Sequence, residues 1–142
     1  MLIIDANVLI YAFREDDPQH KPHHAWLHAT LASQETVGIS DQVLSSVIRV
    51  VTHPGLPRRA TPLDEVLQFA EWLRTHPRCI RVFAGEQHWY IFRTLCQAVN
   101  ARGNLVADAY LAALTIEHSA GLVTTDRDFA RFPGLRWRHP LD

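Results

Sequence analysis

The stretch NLVADAYLAALTIEHSAGLVTTDRDF, Asn104 to Phe129, decides how this chain folds. From Leu105 to His118 apolar residues fall on every side of a helical period, so the pattern predicts a largely buried helix, closed by Gly121. LVTT then predicts a short strand, and two aspartates follow at once, Asp126 and Asp128. A helix feeding a buried strand that ends in acid points to an α/β sheet whose strand ends carry chemistry.

The same arrangement recurs upstream. Met1 to Ile4 reads as a buried strand ended by Asp5, with Asn7 capping a helix through VLIYAF and a second helix starting near Pro22. TVGIS, Thr36 to Ser40, predicts a second strand; Ser40 then caps a helix in which Val43, Leu44, Val47, Ile48 and Val51 repeat with helical spacing. Thr61 as cap, Pro62 at the first helical position and Asp64 at the third open another helix. CIRVF is a third strand, EQHWYIFRTLCQAVNAR a helix closed by Gly103, and LRWRH a short fifth strand. Strands alternating with helices imply a three-layer α/β/α sandwich around a mainly parallel sheet of four to five strands, with residues 1–142 as one domain.

Composition narrows the function. The 142 residues suffice to bury a core without staples, and a formal charge of -1 gives no whole-chain attraction to polyanions, so any nucleic-acid site must be local. Thirteen of the fourteen basic residues are Arg, which suits phosphate recognition but also follows from a GC-rich genome. Met1 is followed by LIID with no basic leader, and no apolar run is long enough to span a bilayer, so the expected compartment is the cytoplasm. Cys79 and Cys96 read as two buried thiols rather than a disulfide.

Three carboxylates interrupt three of the most apolar stretches: Asp5 after LII, Asp126 after LVTT, and Asp108 inside LVADAYLAAL, in the first turn of its helix. In a parallel sheet, strand ends share one edge, where ligands bind in a crevice; Asp5 and Asp126 belong there, and Asp108 is placed there by inference. Burying unpaired carboxylate is costly, and the remedies are a raised pKa, a basic partner or a metal ion. Several hard oxygen ligands favour Mg²⁺ or Mn²⁺ and with them phosphoryl chemistry. The bland alternative is that each Asp is a helix cap.

The segments LIIDANVLIYAF, LSSVIRVVTHP, NLVADAYLAALTIEH and LVTTDRDFARFPGLRWRHP together resemble the PIN-domain family, and within it the VapC-like toxins of type II toxin-antitoxin pairs. The resemblance covers nearly the whole chain and implies Mg²⁺- or Mn²⁺-dependent endoribonuclease activity on RNA, a VapB-type antitoxin and a homodimer. It places the family's first, third and fourth acids on Asp5, Asp108 and Asp126, as catalytic and metal residues, with Asp128 as an additional acid. Asn7, Thr125 and Asn104 match supporting polar positions. Ser46 falls where the family usually has Glu, and Asp41 lies about 140° around the same helix. The expectation is therefore one firm metal site, with a second filled only alongside RNA phosphate.

Other features have plainer readings. His24 and His28 stand one turn apart and could chelate zinc, yet no third ligand type lies nearby in sequence, and a solvated helix face is the default. Trp26, Trp72, Trp89, Trp137, Phe69 and Phe92 read as core rather than base-stacking residues. Arg127 and Arg131, with Arg136 and Arg138, are the basic candidates for RNA beside the acids, and Arg58 and Arg59 form a second pair. PLDEVLQFAEWL and the helix after it offer apolar faces to a second copy. Two other functions remain open: an inactive partner-binding relative lacking the acid at Ser46, and an aspartyl-phosphate phosphotransferase, which wants Asp-x-Asp where this chain has DAN.

Overall fold

The computed structural model describes residues 1–55 and 59–142. Five strands, β1 (Leu2–Ile4), β2 (Val37–Ser40), β3 (Cys79–Val82), β4 (Gly121–Val123) and β5 (Trp137–Arg138), form one sheet in the order β3-β2-β1-β4-β5. Every pairing is parallel, with Leu2 opposite both Val37 and Gly121. Six helices connect them: α1 (Ala6–Phe13), α2 (His20–Ala32), α3 (Asp41–Val51), α4 (Leu63–Thr75), α5 (His88–Val99) and α6 (Asn104–Glu117). A 3₁₀ turn, Arg127–Arg131, lies between β4 and β5.

The chain moves from β1 to β3 in one direction and then returns to β4 on the other side of β1. Right-handed crossovers therefore put α1 to α4 over one face and α5 with α6 over the other. The packing agrees: α1 lies against α2 and α3, α3 against α4, and α5 against α6. Both faces of the inner strands are covered, which is why they are apolar without alternation. Ile3, Ile4, Val37, Ile39, Leu122 and Val123 are all buried, each contributing about 1–3 kcal/mol by burial. At Gly38 a Cβ would come within 3.0 Å of Ile3 Cγ1 and Val82 Cγ1, so the centre of the sheet leaves no room for a side chain there.

Several expected element ends move. Asp5, not Asn7, caps α1, because β1 pairs one residue further than its strand label: Asp5 N–H donates to Val123 O at 2.9 Å, and the helix starts directly after. The second helix begins at His20, two residues before Pro22. Ser40 caps α3 as expected, its hydroxyl accepting from Gln42 N–H. α4 starts at Leu63 after Pro62, with no side-chain cap from Thr61. α5 ends at left-handed Asn100, φ 50°, rather than at Gly103. α6 ends at Glu117, and Gly121 is the first residue of β4.

Burial corrects three further expectations. The amino-terminal part of α6 is open, with Val106 exposed, whereas Ala109 and Leu111 to Thr115 are buried. Trp89, 69% exposed, and Trp72, 38% exposed, are not core; both lie on outward faces of amphipathic helices. Cys79 and Cys96 are free thiols but only half-buried, and burial pushes the Cys79 thiol up to about 11.

Candidate active site

All five strands point their carboxyl ends to one edge, and the order of visiting them reverses between β1 and β4, the position where open α/β sheets form a crevice. Asp5 leaves β1 at that edge, and Thr124, Thr125 and Asp126 leave β4 beside it.

One hydroxyl organises these two chain segments. Thr124 is fully buried; its Oγ1 donates to Asp5 Oδ2 at 2.7 Å and accepts from Asn7 Nδ2 at 3.2 Å and from Asp126 N–H at 3.0 Å. A hydroxyl has one proton and two lone pairs to offer, so Thr124 is saturated. Asp5 Oδ1 accepts from Ala6 N–H at 2.7 Å, so the same carboxylate caps α1 and is held by β4. Asn7 Oδ1 accepts from Thr125 N–H at 3.4 Å, tying α1 to the strand end a second time.

Asp126 caps the 3₁₀ turn, its Oδ1 accepting from Asp128 N–H at 2.8 Å. The sequence pattern Thr125 to Asp128 suggests a capping box, but that role belongs to Asp126, one residue on. The Asp128 side chain is exposed and takes no part in the cap.

Asp108 is the fifth residue of α6, in its second turn rather than its first. Burial, followed by the charges of Asp126, Asp5 and Asp128, pushes its carboxyl up to about 6. Burial also raises Asp5, opposed by the hydrogen bonds from Thr124 and Ala6, with Asp126 adding repulsion. Asp108 therefore lies in the field of the other three expected acids, and Asp5 in that of Asp126. None forms an ion pair with a basic side chain among the described residues. As placed, no three His, Cys, Asp or Glu side chains among the described residues stand close enough to hold an ion between them. An oxygen-only donor set with excess negative charge fits a hard divalent cation.

The remaining expected residues are less engaged. Ser46 is half-buried on α3 and makes no side-chain hydrogen bond among the described residues. Asp41 cannot replace the missing acid, because Arg74 and Arg81 both pair with it, Arg81 at 3.2 Å. Asn104 is the exposed first residue of α6 and caps nothing. Arg127 and Arg131 are exposed on the turn directly after Asp126, and neither pairs with an acid among the described residues. Arg58 lies outside the described residues. Thr124 is the functional residue that sequence reasoning passes over in favour of Thr125. Its signal is period two: a hydroxyl in an apolar strand end, two residues before an acid, shares that acid's side.

Comparison with known proteins follows the same lines. The PIN domain family model matches residues 2–135. Ribonuclease VapC43 of Mycobacterium tuberculosis is 42% identical over 142 residues, covering 100% of this chain and 97% of the relative. Ribonuclease VapC37 of the same organism is 39% identical, covering 99% and 97%. Among solved structures, VapBC2 from Rickettsia felis, crystallised on a DNA fragment from its promoter, superposes with a TM-score of 0.72 at 18% identity, covering 97% of each chain. That last likeness concerns the fold.

Proposed function

The chain belongs to the PIN-domain family, as a VapC ribonuclease toxin of a VapBC toxin-antitoxin system, and on that premise we propose that Asp5, Asp108 and Asp126 hold Mg²⁺ or Mn²⁺ for endoribonucleolytic hydrolysis of RNA. Asp128 adds charge at the rim. The observation that carries this reading is the meeting of Asp5 and Asp126 at one strand edge through Thr124, with Asp108 in their field and no basic side chain paired to any of them among the described residues.

The ion, when bound, supplies positive charge that activates water and stabilises the leaving oxygen, giving 5'-phosphate and 3'-hydroxyl ends. The protein's own groups do the positioning. Thr124 and the α1 amide orient the Asp5 carboxylate from both sides. Asn7 fixes the backbone from which Asp126 projects. Arg127 and Arg131 offer guanidinium groups to the phosphates on either side of the cut. Ser46 brings no charge, so this chain's own residues would hold a second ion only with a further acidic ligand such as an RNA phosphate.

Cleavage of total RNA in Mg²⁺, in EDTA and by an Asp126→Asn variant tests the reading. Cutting in Mg²⁺ alone supports it; cutting that persists in EDTA or in the variant refutes it. The specific observation at Ser46 also supports a second reading, a partner-binding relative without activity. Such a protein leaves RNA intact in Mg²⁺ and binds Mn²⁺ poorly in calorimetry.

No helix among the described residues is long and apolar enough to cross a membrane. VapBC2 from Rickettsia felis and FitAB are described as complexes on DNA, and a toxin-antitoxin complex from Klebsiella pneumoniae shares the fold. We assign this chain a VapB-type antitoxin on that basis, while a homodimer and a cytoplasmic RNA substrate are what the family resemblance implies.

A further inference from the structure

Packed against α1, α2 carries His20, His24 and His28 at successive four-residue steps, so the three imidazoles form one stripe. Their ring centroids are 5.0 Å apart between His20 and His24 and 4.3 Å between His24 and His28. The stripe continues onto α4, where Trp72 lies 5.6 Å from His28. The rings line a cavity of about 270 Å³ that also includes Glu15, from the loop after α1.

Sequence spacing alone supplies no third ligand type beside His24 and His28. Folding brings Glu15 to the same cavity. Its charge acts on His24, opposing burial and the other two imidazoles, which together lower the proton affinity of that ring. His20 Nδ1 bonds to Tyr11 O at 3.1 Å, leaving Nε2 free. His24 and His28 are exposed and make no hydrogen bond among the described residues, so both rings can turn. Two histidines one helical turn apart are the spacing of helix-borne zinc ligands, with Zn–N of about 2.0–2.1 Å. As placed, no third His, Cys, Asp or Glu closes a cage among the described residues, so water fills the remaining positions. Imidazole selects borderline transition ions, whereas the carboxylates at the sheet edge select hard ones.

We propose that His24 and His28 form a two-imidazole chelate for a borderline divalent ion, Zn²⁺, Ni²⁺ or Cu²⁺, separate from the acidic crevice. Glu15 supplies compensating negative charge, and His20 stands one turn away as the alternative partner of His24. The inference stands whether or not the acidic crevice cuts RNA.

The test uses the untagged full chain in saturating Mg²⁺, which occupies the carboxylates. Calorimetric titration with Zn²⁺ is expected to show one equivalent bound, with affinity falling at least tenfold in His24→Gln and in His28→Gln and persisting in Asp126→Asn. Cu²⁺ is expected to quench tryptophan fluorescence, and Trp72→Phe to remove most of that quenching. Zn²⁺ binding untouched by both histidine substitutions, or abolished by Asp126→Asn, overturns the proposal.

Discussion

The acidic crevice and the histidine stripe both gather side chains that attract cations, and they are built in opposite ways. Asp5 and Asp126 are separated by nearly the whole chain and meet because β1 and β4 pair. His24 and His28 are one helical turn apart and meet in any helix. Strand ends give Asp5 and Asp126 a rigid, half-buried seat with a hydroxyl and amides behind it, and burial raises the Asp5 carboxyl there. A helix face gives the histidines solvent and rotational freedom. The sheet edge suits a reaction that needs fixed geometry, and the helix face suits reversible binding.

The contrast can be broken most sharply at the acids. Asp5→Asn keeps the shape of the α1 cap but removes a charge, and RNA cleavage in Mg²⁺ is expected to fall by about two to three orders of magnitude, measured as initial rate on a defined oligonucleotide. A variant within threefold of the parent shows that the crevice does not depend on rigid charge.

Thr124→Val tests the support behind the acids. It keeps the volume and deletes the hydroxyl that serves Asp5, Asn7 and Asp126. Mn²⁺ affinity is expected to drop about 10- to 100-fold, and unfolding free energy by about 1–3 kcal/mol because a buried acceptor and donors lose their partner. His28→Gln has no comparable buried network to disturb, so its unfolding midpoint in urea is expected to stay close to the parent's.

Proton linkage separates the two regions next. In EDTA the folded chain keeps a proton on Asp108 up to about pH 6, while the unfolded chain releases it near 3.8. The folded state thus binds more protons in that window, and stability falls as pH rises from about 4 to 6. For a half-buried group with partly screened neighbours the loss is about 1–2 kcal/mol. Asp108→Asn is expected to flatten this slope in denaturation curves taken between pH 4 and pH 7, and saturating Mn²⁺ to reverse it above pH 6. An unchanged slope in the variant removes Asp108 from the field of the other acids.

The smallest effect belongs to Asp128. Its side chain plays no part in the cap, so Asp128→Asn leaves the fold as it is and is expected to weaken Mn²⁺ binding about threefold through lost charge alone. Unchanged affinity in calorimetry excludes it from the ion's surroundings.

Much of this organisation was legible in the residues because sheets translate pattern into position. Strands β1 to β4, the Ser40 cap and the shared edge of Asp5 and Asp126 follow from apolar runs punctuated by polar residues. Asp108 lies in the second turn of α6 rather than the first, and which edge that turn faces depends on the loop, so pattern alone leaves its meeting with the other acids an inference. The caps were harder, because Asp5 and Asn7 are chemically equal candidates and only the extra β1 to β4 pairing at Val123 O decides between them. Thr124 and Thr125 are likewise identical in type, and burial alone tells them apart. Glu15 and the histidines could not be joined from spacing, since their meeting depends on how α1 hands over to α2.

Thr124 also sets a clock. The hydroxyl joins residues 119 positions apart in the chain, so Asp5 finds its support only once Thr124 has been made. At about 5–20 residues per second, the 119 positions between them take about 6–24 seconds to synthesise. Throughout most of that interval the nascent chain holds a lone Asp5 with no Asp126 opposite. The acidic crevice thereby stays incomplete until Thr124 and the acids that follow it have been translated.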